Sequence, residues 1–164
     1  MKKLNELLNK NNYDFRYPLE ELAKHIMGFN ESDRQDILFN LGVAINHDIY
    51  FKSMSPKKEM PSVFMNSLII KIFGSYDNFL KKIKQKTMSL KGSGYTYLIL
   101  DQGYLRLINL YNQDNPYNHD LTPLLTIDLW EHAYYINYEN KKDLYVDIFL
   151  EVIDFGYANN IIMQ

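Results

Sequence analysis

The chain predicts an α+β protein, with an N-terminal helical lobe followed by helices packed around a three-stranded antiparallel sheet. Three observations predict it. Apolar residues in the first half recur at three- and four-residue spacing, the mark of one-sided helices. Two alternating runs, Tyr95 to Leu100 and Tyr104 to Leu110, flank Asp101-Gln102-Gly103 and read as a hairpin. Leu124 to Leu129 supplies a third run of strand length.

Leu4, Leu7 and Leu8, separated by lysines and asparagines, give a short amphipathic helix over residues 2–10, which Asn11-Asn12-Tyr13-Asp14 breaks. Pro18 suits the first turn of a helix continuing to about Met27, and Gly28 with Asn30 closes it. From Ser32, the positions Ile37, Leu38, Leu41, Val43, Ala44, Ile45, Tyr50 and Phe51 form a long helix with His47 in its last third. Ser55 to Pro61 reads as a linker, which divides the chain into a helical lobe, 1–54, and an α/β lobe, 62–164. Val63 to Phe73 and Phe79 to about Thr87 are two helices split by Gly74-Ser75, with Ser75 able to cap the second. Lys81, Lys82, Lys84 and Lys86 read as its solvated face. Leu144 to Val152 is a closing amphipathic helix.

A chain of 164 residues can bury a sizeable core. Its net charge of -2 gives no electrostatic case for nucleic acid or an anionic membrane. The absence of cysteine excludes a disulfide framework and thiolate metal sites. No apolar run approaches the roughly 20 residues of a membrane span, and the charged start lacks a signal-peptide core, so a cytoplasmic location is expected.

The most informative segment is Asp128-Leu129-Trp130-Glu131-His132-Ala133-Tyr134-Tyr135, which sets a carboxylate and an imidazole four residues apart. Oxygen and nitrogen donors without a thiolate suit Mn, Fe or Zn in a non-structural site. Taken alone, such a pair also fits a surface salt bridge. Further segments extend it: Asn46-His47-Asp48-Ile49-Tyr50-Phe51 followed by Ser55-Pro56, then Gly92-Ser93-Gly94-Tyr95-Thr96-Tyr97-Leu98, then Asn112-Gln113-Asp114-Asn115-Pro116. His25 and His119 sit in no such context and read as surface or loop residues.

In this order and spacing the four segments resemble the iron/manganese superoxide dismutase family. The resemblance implies a metal held by His47, Asp128 and His132 in the equatorial plane of a five-coordinate site, with Gln113 hydrogen-bonded to metal-bound solvent. A glutamine in the Q-D-N-P turn, with Val43 near the place of its iron-type counterpart, favours Mn over Fe. Trp130, Tyr95, Tyr97 and Phe51 correspond to the aromatic shell that keeps the site dry, and three of them replace a family tryptophan with a smaller ring. Tyr135 matches an interface tyrosine that supports the substrate gate. Glu131 matches the glutamate that reaches the partner's ligand histidine, which implies a homodimer through Glu131 and His132, with superoxide as substrate.

The resemblance also implies a first long helix carrying H-H-x-x-Y-V, which supplies an axial histidine and the gate. Here Met1 to Leu8 looks like the sequence that follows that motif, so most of that helix is expected to be missing. Its packing partners on the long helix would then be exposed, or covered by residues 1–16. Three readings stay open: a superoxide dismutase, a three-ligand metalloprotein of the same family that dismutates poorly, and a catalytically inactive dimer.

Overall fold

The computed structural model describes residues 2–13 and 17–163. Asp14 of the expected break after the first helix, and Met1 and residues 14–16 of the expected cover over the long helix, lie outside them. Helix α1, Lys2–Lys10, buries Leu4 and Leu8 on one side, as its leucine spacing dictates. A single turn, α2 (Leu19–Leu22), runs into a 3-10 segment, Ala23–Gly28, where one continuous helix to Met27 was expected. The long helix α3, Glu31–Lys52, follows. Lys10 and Asn11, at the end of α1, both bond the Asp33 carboxylate at the start of α3, at 2.7 and 2.9 Å. Leu4 and Leu8 share a core with Ile37, Leu41, Ile45 and Ile49 of α3, so α1 covers part of that helix.

Helices α4, Val63–Phe73, and α5, Tyr76–Ser89, each begin at a serine. Ser62 accepts from the Met65 amide at 3.2 Å, and Ser75 accepts from the Asn78 amide at 3.1 Å. These bonds satisfy donors that a helix start leaves open. Between α3 and α4, residues 55–62 form neither helix nor strand.

Strands β1 (Gly94–Asp101), β2 (Tyr104–Tyr111) and β3 (Thr122–Asp128) form an antiparallel sheet in the order β2-β1-β3. Gln102 and Gly103 turn the hairpin with φ of 47° and 84°, a left-handed pair that matches strand twist and that glycine adopts without strain. The central strand is apolar on both faces, and its period of two sorts it between two cores. Tyr95, Tyr97 and Ile99 face α1 and α3, while Leu98 faces α4, α5 and the C-terminal helices.

Three helices end the chain: α6 (Glu131–Tyr138), α7 (Lys142–Glu151) and α8 (Gly156–Ile162). The seventh begins two residues before the expected Leu144, and the eighth had no counterpart in the sequence reading. The whole is the α+β arrangement that the sequence predicts.

Candidate metal centre

Three side chains from three elements meet where β3 ends. His47 comes from the last third of α3, Asp128 is the final residue of β3, and His132 lies in the first turn of α6. The register explains Asp128: it pairs with Tyr95 at the last rung of the β1–β3 ladder, and Leu129 then bonds the Gly94 carbonyl at 2.8 Å. The chain turns directly into α6, so the four-residue spacing brings His132 back beside the carboxylate.

One potential ligand atom from each lies within 4.8 Å of the others. Nε2 of His47 and Nε2 of His132 are 3.2 Å apart, and they stand 3.7 and 3.3 Å from Oδ2 of Asp128. The point in their plane equidistant from all three lies about 2.0 Å from each, the length of a bond from a first-row metal to nitrogen or oxygen. No fourth histidine joins the cluster among the described residues. His25 lies against the ring of Tyr17, and His119 pairs with Asp114 at 2.8 Å on the surface.

Local bonds aim the donors. The Val43 carbonyl can only accept, so its 2.8 Å contact fixes a proton on Nδ1 of His47 and leaves the lone pair on Nε2. Asp128 is fully buried; its Oδ1 accepts from the Trp130 amide at 2.8 Å, while Oδ2 has no hydrogen-bond partner. Burial pushes the Asp128 carboxyl above its usual range, and the Trp130 amide and the two imidazoles oppose that only in part. A buried carboxylate oxygen without a donor is costly. A cation between it and two imidazole lone pairs removes the cost, so the residues present fit a mononuclear Mn or Fe ion.

Gln113 is held from two sides. Its Oε1 accepts from Asn46 Nδ2 at 3.2 Å and from the Tyr95 hydroxyl at 3.3 Å, leaving the NH2 as its donor end. Asn46 in turn accepts from the Tyr97 hydroxyl at 2.6 Å. Both tyrosines keep their protons, because burial raises them above the usual phenol range. They donate from the places where the family resemblance puts tryptophans. Gly42 of α3 makes room for this loop: a Cβ there would stand 1.9 Å from the Gln113 carbonyl oxygen.

Of the remaining predicted residues, Trp130 and Phe51 lie beside the two imidazoles. The Trp130 ring stacks on His132 at 6.0 Å, and Phe51 lies 6.2 Å from His47. Phe51 is 65% exposed and Tyr135 54%, and Glu131 is exposed, so none of the three closes the site within one chain. A cavity of about 370 Å³ opens here, lined by His47, Tyr50, Phe51, Met54, Asp128, His132 and Ala133. Sequence reasoning gave no role to Asn46, although it stands next to His47 in the motif.

Residues 61–161 match the family model described as the C-terminal domain of iron/manganese superoxide dismutases. The superoxide dismutase [Fe] of Synechococcus elongatus is 38% identical over 146 residues, covering 87% of this chain and 72% of that protein. This chain belongs to the iron/manganese superoxide dismutase family. The superoxide dismutase [Mn] of Listeria innocua is 32% identical over 158 residues, covering 96% of this chain and 78% of its own. A superoxide dismutase [Fe] of Synechocystis is 37% identical over 145 residues, covering 86% and 72%. Relatives named for iron and for manganese thus both align with this member of the family.

Proposed function

We propose that this chain is a superoxide dismutase in which His47, Asp128 and His132 hold one redox-active ion, with manganese favoured over iron. The single observation that carries the reading is the triangle of three ligand atoms around the unpartnered Oδ2 of Asp128. An ion held there would supply an electron to one superoxide and take one from another.

The chain's own side chains do the rest. Val43 and the Trp130 amide orient His47 and Asp128. Gln113, fixed through its Oε1 by Asn46 and Tyr95, presents its NH2 and sets the proton affinity of solvent in the site. Tyr95 and Tyr97 fill the wall behind it and keep water out. Exposed Phe51, Tyr135 and Ile136 surround a half-exposed His132, which supports a second copy of the chain as the cover. Glu131 would then reach the partner and Tyr135 would support the substrate gate. The division into lobes 1–54 and 62–164 is part of the same proposal, supported by the irregular residues 55–62, with the site at the junction.

A second reading is a three-ligand metalloprotein with little turnover, favoured by the three titratable groups that make up the cluster among the described residues. Superoxide consumption by the Mn-loaded and Fe-loaded protein separates the two. Turnover above that of the free ion, lost in Asp128→Asn, supports the dismutase. A loaded protein without turnover rules it out in favour of the second reading.

A further inference from the structure

We propose that Tyr145, with Tyr50 behind it, is a positioning residue for the metal centre: a chain of two hydroxyls that ties the backbone bearing Asp128 to the helix bearing His47. The inference rests on the metal-site reading above.

Strand β3 is at the edge of the sheet, so its outward carbonyls have no strand to bond. The Asp128 carbonyl is satisfied from α7, where the Tyr145 hydroxyl donates to it at 2.9 Å. With its proton committed, Tyr145 accepts from the Tyr50 hydroxyl at 3.0 Å. Tyr50 stands three residues after His47 on α3, so the two side chains occupy neighbouring turns of one helix face. The relay Tyr50 to Tyr145 to Asp128 therefore spans the mounts of two ligands, and one hydrogen bond strengthens the next in a dry interior.

The rings are held without the hydroxyls. Tyr50 stacks on Phe149 at 5.7 Å and 11°, and Tyr145 stacks on Tyr134 at 5.4 Å and 25°. Phenylalanine at either position keeps the packing and removes only the tie. The loss is unequal. Tyr145→Phe orphans the Asp128 carbonyl and frees the backbone under the carboxylate, whereas Tyr50→Phe leaves the Tyr145 bond in place.

The test is Mn(II) affinity of the metal-free protein, by competition with a chelator, together with the zero-field splitting of bound Mn(II) by electron paramagnetic resonance. Tyr145→Phe is expected to bind about tenfold or more weakly with an altered splitting, Tyr50→Phe about two- to threefold more weakly, and the double variant like Tyr145→Phe. Ile83→Val, destabilised elsewhere in the same core, is expected to keep the wild-type affinity. Variants that melt earlier but keep both affinity and splitting would overturn the proposal, as would a larger effect from Tyr50→Phe than from Tyr145→Phe. If Tyr145→Phe does not fold, an unchanged affinity in Tyr50→Phe overturns it alone. A wild-type protein that binds no Mn(II) or Fe(II) would instead sink the metal-site reading, and this inference with it.

Discussion

Gly42→Ala sets two effects of opposite sign against each other. Alanine in the interior of α3 should stabilise the helix by about 1 kcal/mol relative to glycine. The new Cβ, however, would stand 1.9 Å from the Gln113 carbonyl oxygen and 3.0 Å from its carbonyl carbon and Cβ. These are mostly backbone atoms in a tightly held turn, so no side-chain rotation relieves the clash. Reaching an ordinary contact of 3.4 Å requires a retreat of about 1.5 Å. The bonds to Gln113 Oε1, already 3.2 and 3.3 Å long, do not survive that displacement. Overpacking costs about 1–3 kcal/mol and each lost bond about 0.5–1.5, so the steric term wins by about 1–5 kcal/mol. At about 3 kcal/mol the melting temperature of a chain this size falls by about 6–12 °C. Urea and thermal melts of the metal-free protein measure the stability, and superoxide turnover is expected to fall at least about tenfold as Gln113 moves. A variant as stable as wild type, with turnover intact, would refute the reasoning: α3 would not depend on a bare backbone at that point.

Acid should loosen α1 first. The Lys10 ammonium and then the Asn11 amide hold the Asp33 carboxyl below its ordinary value of 3.8. An acid depressed in the fold contributes stability that is fully present above the unfolded value and fades as pH falls through the folded one, so α1 amides should lose hydrogen-exchange protection selectively below about pH 3.8. In Asp33→Asn the same amides should be weakly protected even at neutral pH; protection equal to wild type would remove the tie from the account. Glu131→Ala should convert the proposed dimer to monomer in sedimentation velocity, with a local loss of about 0.3–1 kcal/mol because an acidic side chain leaves the first turn of α6. An unchanged dimer would take Glu131 out of the interface.

The sheet and the meeting of His47, Asp128 and His132 were legible because each rests on a strong local signal. The turn at Gln102-Gly103 and the alternating runs around it place the hairpin, and Gly74-Ser75 places the break between α4 and α5. His47, Asp128 and His132 stand in motifs whose spacing a strand end and a helix turn convert into proximity. Helix α6 gave no such signal: none of its residues is fully buried, its tyrosines face several ways, and Trp130 before it provides no side-chain cap. The last helix, α8, is seven residues long with two asparagines, too short for a period to declare itself. The Tyr50–Tyr145 relay was invisible for another reason. Its members lie 95 residues apart, in segments whose tyrosines read equally well as packing.

The proposed dependence of the site on one ion is tested most directly by titrating metal-free protein with Mn(II) and with Fe(II) without oxygen, and by counting ions bound per chain. The account predicts one ion per chain in the wild type, and a loss of about 100-fold or more in affinity in each of His47→Gln, Asp128→Asn and His132→Gln while the fold persists. Binding that survives all three substitutions, or a folded wild type that takes up neither metal, would contradict it.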